Sequence, residues 1–265
     1  VAFPWSRTVQ AAFLFSPSVR RYLSLGVVPL LLLVVPPLRR RLLAPFRSDL
    51  LAEARLDDLP ALGFFGQGQA RRGSAPPLPV QDMLGGLDGV VVLRGEAGLG
   101  KTSALRWFAS RTRAPVAFLH ARDCHDGVAE AIARLMKGVQ DTDFVRGTVH
   151  AGTLAVIIDG LNEVSAATRE RVRSFATENR KGRIVIGTQP IEWTPPAGAA
   201  VIDLLPLARD EAEAFLLSRP VGADASQRVH GAAYQGAVRA FLSRALDEAP
   251  TEPEREAAAL VLSNP

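Results

Sequence analysis

The chain has 265 residues, of which 48% are hydrophobic, so it can form one domain of ordinary size together with a smaller one. Its formal net charge is +4, and its basic residues are nearly all arginines that do not cluster with aromatic residues, so the composition does not favour nucleic-acid binding. A single cysteine, Cys124, excludes an intrachain disulfide framework and fits a reducing compartment such as the cytosol.

Residues 1–65 are predicted to form an apolar and amphipathic helical region ahead of the main domain. Residues 22–38 carry no charge and are bracketed by arginines, and their number is the lower limit for a membrane span. Pro29 interrupts this run at a cost of about 3 kcal/mol in a helix interior, which nearly cancels the gain from the leucines and valines. Three alternatives therefore stay open for it: a single span, a kinked hairpin that re-enters on the same side, and a buried helix packed on the core.

The next segments lead into the main domain. Residues 41–62 place apolar side chains at helical spacing, which predicts an amphipathic helix. Residues 66–79 are rich in Gly, Ser and Pro, and we interpret them as a linker. The main domain is predicted over residues 80–205. Only helical patterns follow it, so residues 206–265 are predicted to form a small helical lid domain, truncated where the sequence ends.

Strands and helices alternate through the main domain. Apolar runs predict strands at residues 90–94, 115–120, 154–159, 183–188 and 200–204, and amphipathic patterns predict helices at residues 102–111, 127–138 and 165–179. Strands that alternate with helices imply a parallel sheet with right-handed crossovers. The sequence therefore predicts a three-layer α/β domain with a parallel sheet.

The segment between the first of these strands and its helix has the pattern G-x4-G-K-T, which is that of a P-loop. Glycines allow the backbone N–H groups of such a loop to turn toward phosphate oxygens, and the following helix points its positive end at the same anion. Lys101 supplies a charge for the β- and γ-phosphates, and the Thr102 hydroxyl is a ligand for Mg²⁺. The residues predicted to contact the nucleotide are Gly95, Glu96, Ala97, Gly98, Leu99, Gly100, Lys101, Thr102 and Ser103.

A carboxylate follows at the end of the apolar run from Leu154 to Asp159. The run is continuous, as expected for a strand buried on both faces, and it has the character of a Walker B strand. Mg²⁺ prefers oxygen ligands, and a carboxylate from a neighbouring strand complements the Thr102 hydroxyl. The sequence therefore predicts that ATP or ADP binds with Mg²⁺, which Thr102 and Asp159 hold.

The residues after this strand, from Asp159 to Val164, resemble the extended Walker B motif of NACHT-type STAND NTPases, a group of signal-transduction ATPases. Members of that group switch between ADP-bound and ATP-bound states. Further segments resemble the group's P-loop and helix, its sensor strand, its entry into the helical domain and its Asn-Pro turn: residues 95–109, 183–190, 201–216 and 262–265. The resemblance covers residues 90–265.

The resemblance implies roles for individual residues. Glu163 is the candidate to orient the attacking water and acts with Lys101 in catalysis, whereas Gln189 and Pro265 are expected to contact the nucleotide. Two residues depart from the family pattern. Asn162 stands where an acidic residue is usual, so hydrolysis is expected to be slow. Gln189 offers only neutral donors where the sensor strand commonly ends in an arginine that detects the γ-phosphate.

These observations predict a nucleotide switch that binds ATP, hydrolyses it slowly and drives conformational change and self-assembly through the NTPase domain. Whether the chain is an enzyme is left open, with a weak ATPase as the expectation. Two alternatives remain: a P-loop kinase for a small molecule, and a non-catalytic scaffold that holds ADP. The expected location is the cytoplasm, with an anchor to the inner face of the membrane if residues 22–38 contact lipid. Because the sequence ends inside the Asn-Pro turn, we expect further C-terminal domains.

Overall fold

The computed structural model describes residues 43–56, 68–85, 88–137, 142–218 and 232–244. The apolar run at residues 22–38 and the predicted nucleotide contact at Pro265 lie outside these ranges. Within the ranges, no helix combines the length and the apolar character that a membrane crossing needs.

The described residues form strands, α-helices and short 3-10 turns. The strands are β1 (Gln69–Arg71), β2 (Leu78–Pro79), β3 (Val90–Arg94), β4 (Val116–His120), β5 (Ala155–Asp159), β6 (Ile184–Thr188) and β7 (Ala200–Leu204). The helices are α1 (Arg47–Leu50), α2 (Val80–Gly85), α3 (Lys101–Arg111), α4 (Val128–Leu135), α5 (Thr142–His150), α6 (Ala166–Glu178), α7 (Arg209–Ser218) and α8 (Ala232–Leu242). The 3-10 turns are Ala44–Phe46, Ala52–Ala54, Ala121–Cys124 and Leu161–Glu163.

The strands form one sheet in the order β2-β1-β7-β3-β6-β5-β4. The five strands from β7 to β4 are parallel, and β1 and β2 extend the sheet antiparallel beyond β7. Helices cover both faces of the sheet, because one hydrophobic cluster contains residues of α2 and α3 and the other contains residues of α4, α5 and α6. This is the three-layer α/β fold with a mostly parallel sheet that the alternation of strands and helices predicts.

Alternate residues of each strand pack into opposite clusters. On β5, Ala155 and Ile157 belong to the cluster with α3, whereas Val156 and Ile158 belong to the cluster with α4 and α6. All four side chains are buried, which explains why the strand has a continuous apolar run rather than an alternating one. The same alternation brings Asp159, the next residue, to the face that α3 covers.

The segment predicted as a linker, residues 66–79, contains the two antiparallel strands of the sheet. In β1, Ala70 is fully buried and pairs with Leu204 of β7, while Gln69 pairs with Pro79 of β2. Proline is tolerated in β2 because this strand lies at the edge of the sheet, where a missing N–H need not remove a hydrogen bond between strands. The sheet therefore begins before residue 80, whereas the predicted division of the chain into domains stays a prediction.

The amphipathic helix predicted over residues 41–62 is broken, in its described part, into two 3-10 turns with α1 between them. The apolar spacing is correct, because Leu43, Leu50 and Ala54 are all buried. However, Leu43 and Leu50 belong to the cluster that contains α4 and α6, whereas Ala54 belongs to the cluster that contains α3 on the other face of the sheet. The segment therefore bends around the outer strand β4, which one straight helix cannot do.

Two helices follow the last strand and form a small cluster of their own. Ala212 of α7 packs with Val238 and Leu242 of α8. Polar contacts join the same helices, since the Tyr234 hydroxyl donates to the carbonyl of Leu216 at 2.9 Å. The helical character predicted after residue 205 is thus present in the described residues of this region.

Candidate functional site

The glycine-rich loop lies at the C-terminal edge of the sheet, between β3 and α3. Gly98 has a φ of 81° and Gly100 a φ of 79°, a left-handed region that side chains disfavour. Gly100 is also the residue at the start of α3, and it has no side chain to cap the first N–H groups of the helix. These N–H groups and the positive end of the helix are the features that bind an anion.

Gly95 fixes the start of this loop against the sheet. A Cβ on Gly95 would lie 3.3 Å from the Leu204 side chain of β7 and 3.3 Å from the Leu99 side chain of the loop itself. The Gly95 N–H donates to the carbonyl of Thr188 at 3.2 Å, which continues the pairing of β3 with β6. The loop is therefore held between both neighbours of β3.

Lys101 bridges the loop with its ammonium group. Nζ donates to the carbonyl oxygen of Glu96 at 2.6 Å. Partial burial lowers the pKa of Lys101, and the nearby carboxylates of Asp159, Glu96 and Glu163 oppose that shift. The ammonium thus lies partly out of water, close enough to Asp159 and Glu163 to interact with both.

Thr102 and Asp159 meet directly. The Thr102 hydroxyl donates to Oδ2 of Asp159 at 2.7 Å, which joins the first turn of α3 to the end of β5. Asp159 is only 6% exposed and Thr102 is half-buried, so this hydrogen bond is partly shielded from solvent. A hydroxyl and a carboxylate are hard oxygen donors of the kind that Mg²⁺ prefers, so the two residues fit that ion.

Gly187 of β6 provides the space in which the Asp159 carboxylate lies. A Cβ on Gly187 would lie 2.9 Å from Oδ1 of Asp159 and 2.7 Å from the end of the Leu105 side chain. Sequence reasoning gave Gly187 no role. A single glycine inside the apolar run at residues 183–188 nevertheless indicates that another group closely approaches the backbone there.

The turn after β5 carries Glu163. Gly160 has a φ of 78°, and a Cβ on it would lie 3.3 Å from Oε2 of Glu163, so the carboxylate folds back over this glycine. Glu163 is exposed, in contrast to Asp159. It follows the C-terminal end of β5, which is parallel to β3 through β6, so it lies at the same edge of the sheet as the loop.

Asn162 connects that turn to the end of β6. Its Oδ1 accepts a hydrogen bond from the backbone N–H of Gln189 at 3.2 Å. The sequence identified both residues as departures from a family pattern but gave no contact between them. The contact depends on the adjacency of β5 and β6, which the sequence does not state.

The remaining predicted residues occupy different positions around the loop. Glu96 and Ala97 are exposed, Leu99 is buried, and Ser103 is half-buried in the first turn of α3. The structure thus brings Lys101, Thr102 and Asp159 together. Pro265 lies outside the described residues.

A charged pair that the sequence did not predict flanks the start of the loop. Arg94, the residue before Gly95, makes two hydrogen bonds to the Asp203 carboxylate of β7, at 2.6 and 3.1 Å. Its hydrogen bond to Asp203 is the main reason that the pKa of Arg94 is raised. The pair joins β3 to β7 beside Gly95.

Comparisons with known proteins add little to this geometry. No family model matches the chain, and no curated protein matches it. It is similar to a chain in a solved structure described as the structural basis for katanin self-assembly, with 15% identity over 68% of this chain and 77% of that one. The TM-score of this match is 0.38. The loop, the carboxylate and the mostly parallel sheet are consistent with a P-loop NTPase fold.

Proposed function

We propose that this chain is the nucleotide switch of a NACHT-type STAND protein, which binds ATP or ADP with Mg²⁺ and hydrolyses ATP slowly. The observation that carries the proposal is the 2.7 Å hydrogen bond between Thr102 and Asp159. Two motifs far apart in the sequence meet at this bond, and the ammonium of Lys101 lies close to the same carboxylate. An acidic side chain, a hydroxyl and a cation at the start of a helix are the groups that a metal–polyphosphate complex requires.

Each residue has a distinct role in the proposed site. The N–H groups at the start of α3 and the backbone around Gly98 and Gly100 bind phosphate oxygens. Lys101 exchanges its hydrogen bond to the Glu96 carbonyl for one to a phosphate oxygen, which bears a full negative charge. Thr102 and Asp159 hold Mg²⁺, which when bound neutralises charge that develops on the phosphates.

Glu163 is the residue proposed to orient the attacking water. Its carboxylate is exposed and close to Lys101, so water has access to it. Asn162, beside it, uses its side-chain oxygen to bind the Gln189 backbone. The turn therefore offers one carboxylate, that of Glu163, to orient the water. We propose that hydrolysis is slow because position 162 does not supply a second acidic group.

The switching role is proposed from the resemblance of residues 90–265. Exchange of ADP for ATP changes the position of the helical segment after β7 and exposes a surface for self-assembly. Cytoplasmic location, with an anchor through residues 22–38, belongs to the same proposal. A nucleotide-dependent change in sedimentation of the purified chain is the measurement for self-assembly.

The experiment that tests nucleotide binding compares two lysine variants. Lys101→Ala removes the ammonium from the loop, and Lys181→Ala removes an exposed one from the turn before β6. A hydrogen bond to a charged group contributes about 1.5 to 3 kcal/mol, so Lys101→Ala should weaken Mg–ATP by about 10- to 150-fold in calorimetry. Lys181→Ala should bind as the wild type does.

Equal affinity of the two variants for Mg–ATP would refute the proposed site. The nucleotide that copurifies with the wild type distinguishes the remaining alternatives. Bound ADP with negligible turnover would favour the scaffold, whereas turnover that depends on an added acceptor would favour the kinase. Exchange of ADP for ATP, followed by slow release of phosphate, is the expected result.

A further inference from the structure

The hydrogen bond from the Gln189 N–H to Oδ1 of Asn162 spans two strands of the sheet. Asn162 lies in the 3-10 turn after β5, and Gln189 is the first residue after β6. The two strands are parallel neighbours, so their C-terminal ends lie at the same edge as the glycine loop. Residues at that edge of a parallel sheet are the ones that surround a ligand.

The backbone of Gln189 is held on both sides. Its N–H is bound by Asn162, and its carbonyl accepts a hydrogen bond from the Thr188 hydroxyl at 3.0 Å. Thr188 itself is only 2% exposed, so the packing around it holds it in place at the end of β6. Restraint of the backbone limits the space that the half-buried Gln189 side chain can reach.

An amide at position 162 provides this restraint without a charge. An aspartate there would accept the same N–H but would place a second carboxylate next to Glu163, at the edge of the sheet that carries the glycine loop, where it would repel bound phosphates. Asparagine keeps the acceptor and avoids that repulsion. The neutral residue at 162 and the neutral residue at 189 are therefore parts of one arrangement.

We propose that Asn162 is a positioning residue that holds Gln189 where its side-chain amide donates to the γ-phosphate. Asn162 thereby sets the preference of the site for ATP over ADP, although its Oδ1 is bonded to the Gln189 N–H and does not touch the nucleotide. This inference rests on the proposed function, because it requires a nucleotide in the loop. It goes beyond that function by assigning the discrimination between the two nucleotides to a pair of uncharged side chains.

The test measures dissociation constants for Mg–AMP-PNP and Mg–ADP by calorimetry. A neutral hydrogen bond contributes about 0.5 to 1.5 kcal/mol, so Asn162→Ala should weaken Mg–AMP-PNP by about 2- to 13-fold. Mg–ADP, which has no γ-phosphate, should bind within about twofold of the wild type. Asn162→Asp retains the acceptor but adds a negative charge, so it should weaken both nucleotides while keeping the ratio of the two constants closer to that of the wild type than Asn162→Ala does.

Three further variants separate positioning from general loss of structure. Gln189→Ala should reduce the ratio as Asn162→Ala does, and the double variant should reduce it no further, because both act through one contact. Asn179→Ala is the matched control. Its buried amide donates to the carbonyl of Phe175 at the C-terminal end of α6, so its loss should lower stability and leave the ratio unchanged.

The possible results distinguish a failure of the positioning role of Asn162 from a failure of nucleotide binding itself. A wild type that binds neither nucleotide would overturn both. A wild type that binds both, with a ratio unchanged by Asn162→Ala, would overturn the positioning role alone. Additive losses in the double variant would also overturn it, because they would show that the two side chains act independently.

Discussion

Replacing Gly187 with alanine tests how the Asp159 carboxylate reaches the glycine loop. The added Cβ would lie 2.9 Å from Oδ1 of Asp159 and 2.7 Å from Cδ1 of Leu105, and real Cβ contacts essentially never fall under 3.0 Å. Leu105 is fully buried and Asp159 is 6% exposed, so both side chains are packed against neighbours on most sides. The substitution must therefore displace the carboxylate, the leucine or the strand.

The magnitude follows from these two contacts. Overpacking a close-packed interior costs about 1 to 3 kcal/mol, and we expect the free energy of unfolding of Gly187→Ala to fall by that amount. Displacement of the carboxylate also moves it away from Thr102, so the two oxygens no longer face one Mg²⁺. Changes to residues that support metal ligands typically cost about 10- to 100-fold in metal affinity, so we expect the factor by which Mg²⁺ strengthens ATP binding to fall about 10-fold or more.

The assay combines urea unfolding with nucleotide titrations in the presence and absence of Mg²⁺, and two other glycines serve as controls. A Cβ on Gly147 of α5 meets nothing within 4 Å, so Gly147→Ala should stabilise the helix by about 0.5 to 1 kcal/mol. A Cβ on Gly182 would overlap the carbonyl oxygen of Val149, away from the loop, so Gly182→Ala should lose stability and keep the effect of Mg²⁺. Wild-type stability and Mg²⁺ dependence in Gly187→Ala would refute the steric argument.

Three further substitutions or reactions probe the fold. Ser165→Ala removes the side-chain oxygen that accepts from the Thr168 N–H at the start of α6, and urea unfolding should show a loss of about 1 kcal/mol. Burial raises the pKa of the Cys124 thiol to about 12, so an aromatic disulfide reagent at pH 8 should label the folded chain far more slowly than the urea-unfolded chain. Arg94→Ala breaks a half-exposed ion pair with Asp203, and its loss of stability should stay below about 1 kcal/mol and shrink at high salt.

The parallel strands were predictable because burial on both faces leaves a strong signal. The runs at residues 90–94 and 200–204 are strands β3 and β7 with the predicted bounds. β1 and β2, in contrast, have three and two residues and contain proline and polar side chains. Pairing with β7 and with each other holds these strands in place, and local sequence does not report such tertiary contacts.

The candidate site also has a part that the sequence indicates and a part that it does not. Lys101, Thr102 and Asp159 are predicted from the sequence, because each lies in a motif whose spacing reflects its chemistry. The contacts of Gly187 and Asn162 are not, because each depends on which strands are neighbours. A glycine in an apolar run indicates close approach but does not identify the atom that approaches.

The order of the strands explains why these unpredicted residues belong to the site. β6 lies between β3, which leads into the glycine loop, and β5, which ends in Asp159. Neighbouring strands are about 4.8 Å apart, so the loop and the carboxylate start roughly 10 Å from each other. Their side chains meet above β6, where Gly187 pairs with Leu93 and contributes no side chain of its own. A larger residue at that point would occupy the space in which Thr102 and Asp159 bond. The strand between the two motifs therefore determines whether they form one site, and the residue that follows it, Gln189, is bound to the turn that carries Glu163.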